Sequence, residues 1–415
     1  MAKWIRGIVV LPLVFVAVLL SATFAYSQGG QVGIAGNSPL PTPTGGHSPL
    51  PTPTRYGTVP YPTKTPHRRP HRYPTATPTV SAPLYPELVR IDGAPLRKVI
   101  GDQQSSTLYA YTYSGWLYRS PDDGATWTLV TSKPAVDDFV MSSADPNVLY
   151  AGAGRDCRDA SLPAQPMYRS LDGGLTWQRL PAGDNLRPLL AHPGDPAQAF
   201  AAGCDGPYLT IDGGLSWTAR ADTSPDALWE TYWVVDMALL ASPENAPPDA
   251  STWGALVVGA IAEDGSGALV FTNDVGLNWV RLTPNVFPAS WGMNAVTAAL
   301  GRQGLLAFAE PRTVWQTANY GINWQISSKG LEAVAQSDVA GGVYGLNDLL
   351  YHPADTLYLA TVRGLYTKPF SGQVWSKVVG ARYENTHITG LVFTLSTPNQ
   401  IWLNTTDGVY LHQVR

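Results

Sequence analysis

The chain has 415 residues, with 27 basic and 31 acidic side chains and a formal net charge of −4. Charged residues make up only 14%, glycine numbers 40, and no long amphipathic run appears, which points away from a helical protein. The length exceeds a simple sandwich but suits a repeat array, and the acid excess argues against a nucleic-acid partner.

Lys3 and Arg6 precede an apolar run from Ile8 to Leu20, and small residues follow up to Ala25-Tyr26-Ser27. This is signal-peptide grammar, with cleavage after Ser27. The run from Gly7 to Tyr26 also reaches the ~20 residues that span a bilayer. Residues 1–27 are therefore expected to be a signal peptide or a membrane anchor, with the rest extracytoplasmic, either secreted or held at the membrane. Residues 28–83 are a disordered Pro/Thr-rich linker, in which Ser38-Pro-Leu-Pro-Thr-Pro-Thr44 repeats as Ser48-Pro-Leu-Pro-Thr-Pro-Thr54. Frequent proline removes backbone donors and favours extended polyproline II, so the stretch is a semi-rigid spacer. The first 83 residues hold seven of the 27 bases and no acid, which leaves net −11 on the remainder. The spacer is read as solvated and kept extended by its charge, with contact to an anionic membrane or wall polymer as the alternative.

From residue 84 onward the chain repeats. Tyr118-Arg-Ser-Pro-Asp-Asp-Gly-Ala-Thr-Trp127 returns as Tyr168-Arg-Ser-Leu-Asp-Gly-Gly-Leu-Thr-Trp177 and as Tyr208-Leu-Thr-Ile-Asp-Gly-Gly-Leu-Ser-Trp217. Weaker copies end at Trp279 and Trp324. Strand-like residues flank each copy, so the unit reads as a hairpin turn. The carboxylates of Asp122, Asp172, Asp212 and Asp274 accept backbone N–H groups inside it. The hydroxyls of Ser120, Ser170 and Thr210 tie it together. Gly124, Gly174, Gly214 and Gly276 supply a positive φ. Trp127, Trp177, Trp217 and Trp279 open the next strand and pack between sheets. Trp375 continues the series to six units, and a seventh starts at Ile388 with three strands. The spare strand Glu87-Leu-Val-Arg-Ile91 can complete the last unit and close the ring. The expected fold over 84–415 is thus all-β: a seven-bladed β-propeller with four-stranded blades and N-terminal strand closure. Six or eight blades follow if Trp375 or the long fourth unit is misread.

The motif Ser/Thr-x-Asp-x-Gly-x-Thr/Ser/Asn-Trp resembles the Asp-box, or bacterial neuraminidase repeat (BNR), of sialidase-like β-propellers. The short Tyr-Arg-Ser-x-Asp-Gly-Gly-x-Thr-Trp units are closest in style to propellers of the photosystem II assembly and stability factor type. The resemblance implies a structural role for the boxes and leaves function open, because both enzymes and assembly factors carry them. A sialidase-like enzyme would need an arginine triad and an Arg-Ile-Pro start; Arg90-Ile91-Asp92 comes nearest and lacks the proline.

Strand order puts the Asp turns on one face and the loops free to vary on the other. The expected ligand-binding residues on that second face are Arg155, Trp229, Tyr232, Trp233, Trp291, Glu310, Arg312, Arg363 and Tyr383, where aromatics and mixed charge suit a sugar or a peptide. No spacing singles out a catalytic pair. The Asp turns lack the alternating ligands of a calcium loop, and the histidines do not cluster, so neither metal nor cofactor is expected.

Aligning Tyr150-Ala-Gly-Ala-Gly154 with Phe200-Ala-Ala-Gly-Cys204 sets Cys157 and Cys204 just past equivalent strands of adjacent blades. A disulfide is expected there, the other reading being two buried thiols. The favoured function is a non-enzymatic, monomeric binding or scaffolding propeller for a protein or carbohydrate partner. A sialidase- or xyloglucanase-type glycoside hydrolase and a stalked surface adhesin are the alternatives.

Overall fold

The computed structural model describes residues 88–414, apart from 156, 158–160, 221–228, 230–231, 241–252, 265, 283–293, 300–304, 311, 320 and 336–344. The expected leader or anchor, the linker and Trp291 lie outside the described residues.

Seven antiparallel sheets follow one another along the chain as the blades of a propeller. Their innermost strands are Ala94–Gly101, Asp138–Met141, Arg187–Ala191, Tyr232–Leu240, Ala295–Ala298, Leu346–His352 and Ile388–Phe393. Blades 1 to 6 each add three strands outward in chain order, and blade 7 adds two, Gln400–Thr405 and Gly408–Gln413. Both units on which the blade count turned, the long fourth and the one ending at Trp375, form blades.

Burial follows distance from the axis. A second strand is covered by neighbouring blades on both faces, so it reads as an unbroken apolar run. Leu108–Thr112 and Leu149–Gly152 are buried at every position. Outermost strands lie on the circumference and are the most exposed, as in Gln178–Arg179.

The ring is held by side chains that reach from one blade to the backbone of the next. Arg187 donates to Val234 O (3.2 Å) and Val235 O (2.7 Å), and Asp236 accepts from Val296 N (2.9 Å). Asn294 donates to Leu346 O, Asn347 to Ile388 O (2.7 Å), and Asp348 accepts from Leu391 N (2.7 Å). Asn404 closes the circle on Val99, accepting from its N–H (2.7 Å) and donating to its carbonyl (3.0 Å). Several of these contacts sit at a register shift in the inner strand, between Val234 and Asp236 or between Leu346 and Asp348. A bulge turns backbone groups out of the ladder, and the neighbouring blade satisfies them. The N-terminal segment adds to closure: Val89 donates to Val409 O (2.9 Å) of blade 7, and Arg90–Ile91 then folds back on the first strand of blade 1.

Asp348 carries a pH signature. Burial, reinforced by the neighbouring Asp236, pushes its pKa up from 3.8 to about 7, although Leu349 N and Leu391 N both donate to it. The folded protein then holds more protons than the unfolded chain between about pH 4 and 7. The stabilisation is complete below the unfolded value and lost as pH rises through about 7. The melting temperature of the wild type is expected to fall relative to that of Asp348→Asn between pH 5 and pH 8. Parallel melting curves for the two proteins would refute this cause.

Candidate functional site

The Asp turns are closed units. Ser120 Oγ donates to Asp122 Oδ1 (2.8 Å) and accepts from Gly124 N (2.7 Å). Asp122 accepts from Thr126 N (2.8 Å) and Thr126 Oγ1 (2.7 Å). The pattern recurs at Ser170/Asp172/Gly174/Thr176, at Thr210/Asp212/Gly214/Ser216, and at Thr272/Asp274/Gly276/Asn278. Hydrogen bonds from Ser216, its side chain first, hold the Asp212 carboxyl down at about 2. In blade 5 Asn319 replaces the acid and keeps the bonds to Thr317 and Asn323 N. In blade 6 a lysine takes over: buried Lys368 Nζ donates to Gln316 Oε1, Phe370 O and Gly372 O under Trp375. With every oxygen engaged, these turns have little left for a ligand.

The turn glycines do two jobs. Gly124, Gly174 and Gly214 have φ of 89°, 89° and 87°. A Cβ on them would lie 2.2 Å from Trp402, 2.6 Å from Leu117 and 2.5 Å from Leu180, each on the preceding blade. The tryptophans pack at the same seams: Trp127 on Trp402, Trp177 on Phe139, Trp217 on Tyr150 and Trp279 on Trp229.

The second face offers a different surface. A groove of about 470 Å³ crosses the seam of blades 7 and 1 and reaches blade 2. Arg97, Lys98, Tyr111 and Tyr113 line one side, Asp137 one end, and Thr389, Gly390 and Asn404–Thr406 the other side. A register shift between Leu96 and Lys98 marks Arg97 as the bulged residue of the first inner strand. Asp137 pairs with Arg97 (3.0 Å) and Lys133 (3.0 Å), and Asp138 with Lys98 (3.5 Å). Burial raises the Asp137 carboxyl, but the hydrogen bond and charge of Lys133, with Arg97 and Lys98, outweigh it and hold it below its ordinary value. Three cations thus face two carboxylates within a domain that is acidic as a whole. Arg97 and Asp137 remain 45% and 51% exposed, and such pairs are worth about 0–1 kcal/mol, so a ligand can exchange one partner at little cost. Tyr113 and Trp116, both about half exposed, stand beside the groove on the first blade's turn, and the Tyr113 hydroxyl donates to Thr406 O (3.0 Å).

The residues named from sequence fall into three groups. Trp229, Glu310 and Tyr383 are buried: Trp229 packs on Trp279, Glu310 accepts from Trp315 Nε1 (3.1 Å), and the Tyr383 hydroxyl meets His412 Nδ1 (2.6 Å). They are held by the core, which corrects their assignment to the rim; large aromatics are highly buried on average, and Glu310 is buried with Trp315 as its partner. Tyr232 is half-buried under the Arg281 guanidinium, which also donates to its hydroxyl (3.0 Å), and Trp233 is half-buried beside it. Arg155, Arg312 and Arg363 stand on the second-face turns of blades 2, 5 and 6, with Arg312 and Arg363 exposed. Arg97 lies in the first inner strand and Asp137-Asp138 at the start of the second. Tyr113 and Trp116 were not singled out, because only ring closure brings the first blade's turn against the last. Cys157 and Cys204 form a disulfide with a Cα separation of 5.3 Å on the same face.

The central channel holds a cavity of about 370 Å³ whose lining includes Asp236 and Asp348. Each carboxylate accepts one N–H from its own strand and one from the next blade. Among the described residues no group of three or more His, Cys, Asp or Glu is placed to hold a metal ion.

No protein-family model matches the chain, and no curated protein matches it. Solved structures do. YCF48 bound to D1 peptide is 18% identical with a TM-score of 0.51, covering 78% of this chain and 92% of that one. YCF48 from Cyanidioschyzon merolae is 16% identical with a TM-score of 0.52, covering 80% and 98%. The GH74 xyloglucanase from Xanthomonas campestris is 18% identical with a TM-score of 0.54, covering 79% of this chain but 53% of the enzyme. At these identities the likeness is one of fold, the propeller just described.

Proposed function

We propose that this chain is an extracytoplasmic, non-enzymatic binding propeller of Asp-box type, which takes an extended segment of a partner protein into the groove across blades 7 and 1. The observation that carries the reading is the cluster of Arg97, Lys98 and the largely buried Lys133 over Asp137 and Asp138, in which Arg97 and Asp137 are about half exposed, with the exposed Tyr113 and Trp116 on the neighbouring turn. Cations that can trade a weak partner for a ligand carboxylate, beside aromatic rings, suit a peptide with acidic and apolar side chains. A neighbour of the same fold is described as bound to a peptide, which supports the class of ligand. A photo-crosslinking residue at Tyr113 is expected to capture an exported protein through one short segment, and Arg97→Ala is expected to reduce the yield at least tenfold. The same residue at Ala354, exposed on the opposite face in the turn between the first two strands of blade 6, is expected to capture nothing. A partner confined to the cytosol, or equal capture from both faces, would overturn the proposal.

A glycoside hydrolase is the second reading, since another neighbour is a xyloglucanase and three carboxylates, Asp102, Asp236 and Asp348, line the channel. Asp236 and Asp348 are occupied by backbone N–H groups that a substrate would have to displace. No turnover of xyloglucan or sialosides is expected; hydrolysis abolished by Asp348→Asn would establish the enzyme.

A further inference from the structure

We propose a second docking site on the outer edge of the propeller, between blades 1 and 2, for an extended peptide that pairs an aliphatic side chain with a carboxylate.

Four observations converge there. The first is internal to the repeats. Across blades 2 to 5 the turn itself decays: aspartate becomes Asn319, the first glycine becomes Val275, and the hydroxyl becomes Asn278 and Asn323. The residue two before the tryptophan does not decay, being Leu175, Leu215, Leu277 and Ile322. These four side chains are 57–76% exposed, so burial in the core is not what keeps them aliphatic.

The second is a groove of about 260 Å³ where Leu175 faces the outermost strand of blade 1, with Leu129, Val130 and Pro121 on the far wall. The third is that strand. Thr128–Ser132 runs for five residues, whereas the outermost strands of blades 2 to 6 have two each. No strand pairs with its outer edge among the described residues, and a free edge of this length is a template for an added strand.

The fourth is Arg119, which also lines the groove. Its equivalent in blade 2, Arg169, donates to Gly213 O (2.6 Å) and Gln178 Oε1 (3.1 Å). In blade 1 the residue opposite Arg119 is Thr128, too short to do what Gln178 does. The Arg119 side chain makes no hydrogen bond among the described residues, and its Nε is closed off from solvent. Asp172 borders the groove, but its oxygens are taken by Ser170 and Thr176. A guanidinium without an acceptor, beside two exposed leucines, calls for a ligand that brings a carboxylate and an aliphatic group together. The Pro/Thr-rich stretch of this chain from residue 28 to 83 has no acidic residue and cannot supply that carboxylate; the proposed occupant is a segment of another chain.

The test uses immobilised 12-residue peptides in four sets: aliphatic–acidic, aliphatic–basic, polar acidic and polar neutral. The purified protein is expected to prefer the aliphatic–acidic set. Arg119→Gln and Leu175→Ser should each weaken that binding at least tenfold, with unchanged melting temperatures, when introduced into the Arg97→Ala protein, whose first groove no longer holds such a peptide. Should Arg119→Gln fail to fold, Leu129→Ser reads the same wall. Absence of a preference, preference for the basic set, or binding that survives these changes would overturn the site. Loss of binding with Arg97→Ala alone would place the peptide in the first groove and count against this one.

Discussion

Trp402→Ala is expected to destabilise the propeller by about 3–5 kcal/mol, the cost of truncating a fully packed aromatic. Trp402 is 3% exposed and lies on the second strand of blade 7. Its ring meets Trp127 of blade 1 edge-on at 5.9 Å and fills the space that a Cβ at Gly124 would occupy. It therefore holds the one seam that joins the end of the chain to its beginning. At this seam no covalent connection between consecutive blades assists the packing, so the cavity is expected to loosen closure as well as remove contact area. Differential scanning calorimetry gives the magnitude, and hydrogen exchange shows whether the Val99 amide, bonded to Asn404, loses protection first. A loss under about 1 kcal/mol would mean that the inter-blade hydrogen bonds, not the aromatic pair, hold the ring shut. Trp177→Ala should cost less, because Trp177 is only half-buried, and should leave partner binding unchanged.

Reduction of the Cys157–Cys204 bond is expected to cost about 3–4 kcal/mol on the chain-entropy estimate for residues 47 apart. The bridge ties the second-face turns of blades 2 and 3, and Cys157 lies within the long excursion between the second and third strands of blade 2. Its loss should release that excursion while the seven blades persist. The measurement is thiol counting under denaturing, non-reducing conditions, then melting with and without reductant. Two free thiols in protein purified from an oxidising compartment would rule the bond out. An unchanged melting temperature on reduction would mean that the turns are held by packing alone.

Much of the fold was written in the primary structure, for a physical reason. The turn Ser170-x-Asp172-x-Gly174-x-Thr176 satisfies its own hydrogen bonds within seven residues, so it needs no distant partner and is recognisable wherever it occurs. Its tryptophan and glycine then need a blade to pack against, which makes period and blade count readable. The apolar second strands follow from having a sheet on each side. Cys157 and Cys204 could be paired because repeat alignment converts sequence positions into equivalent positions in space.

Tertiary structure decided the rest. Whether an aromatic such as Trp229 or Tyr383 faces solvent or core depends on which blade lies beside it, and their sequence surroundings look like those of Tyr113 and Trp116, which are exposed. Asp348 reads as a surface acid at a strand start until the bulge aims it at the backbone of the next blade. The groove of Arg97, Lys98, Tyr113 and Thr406 draws on residues about 300 positions apart. No local pattern encodes such a site, because it exists only once the last blade has met the first.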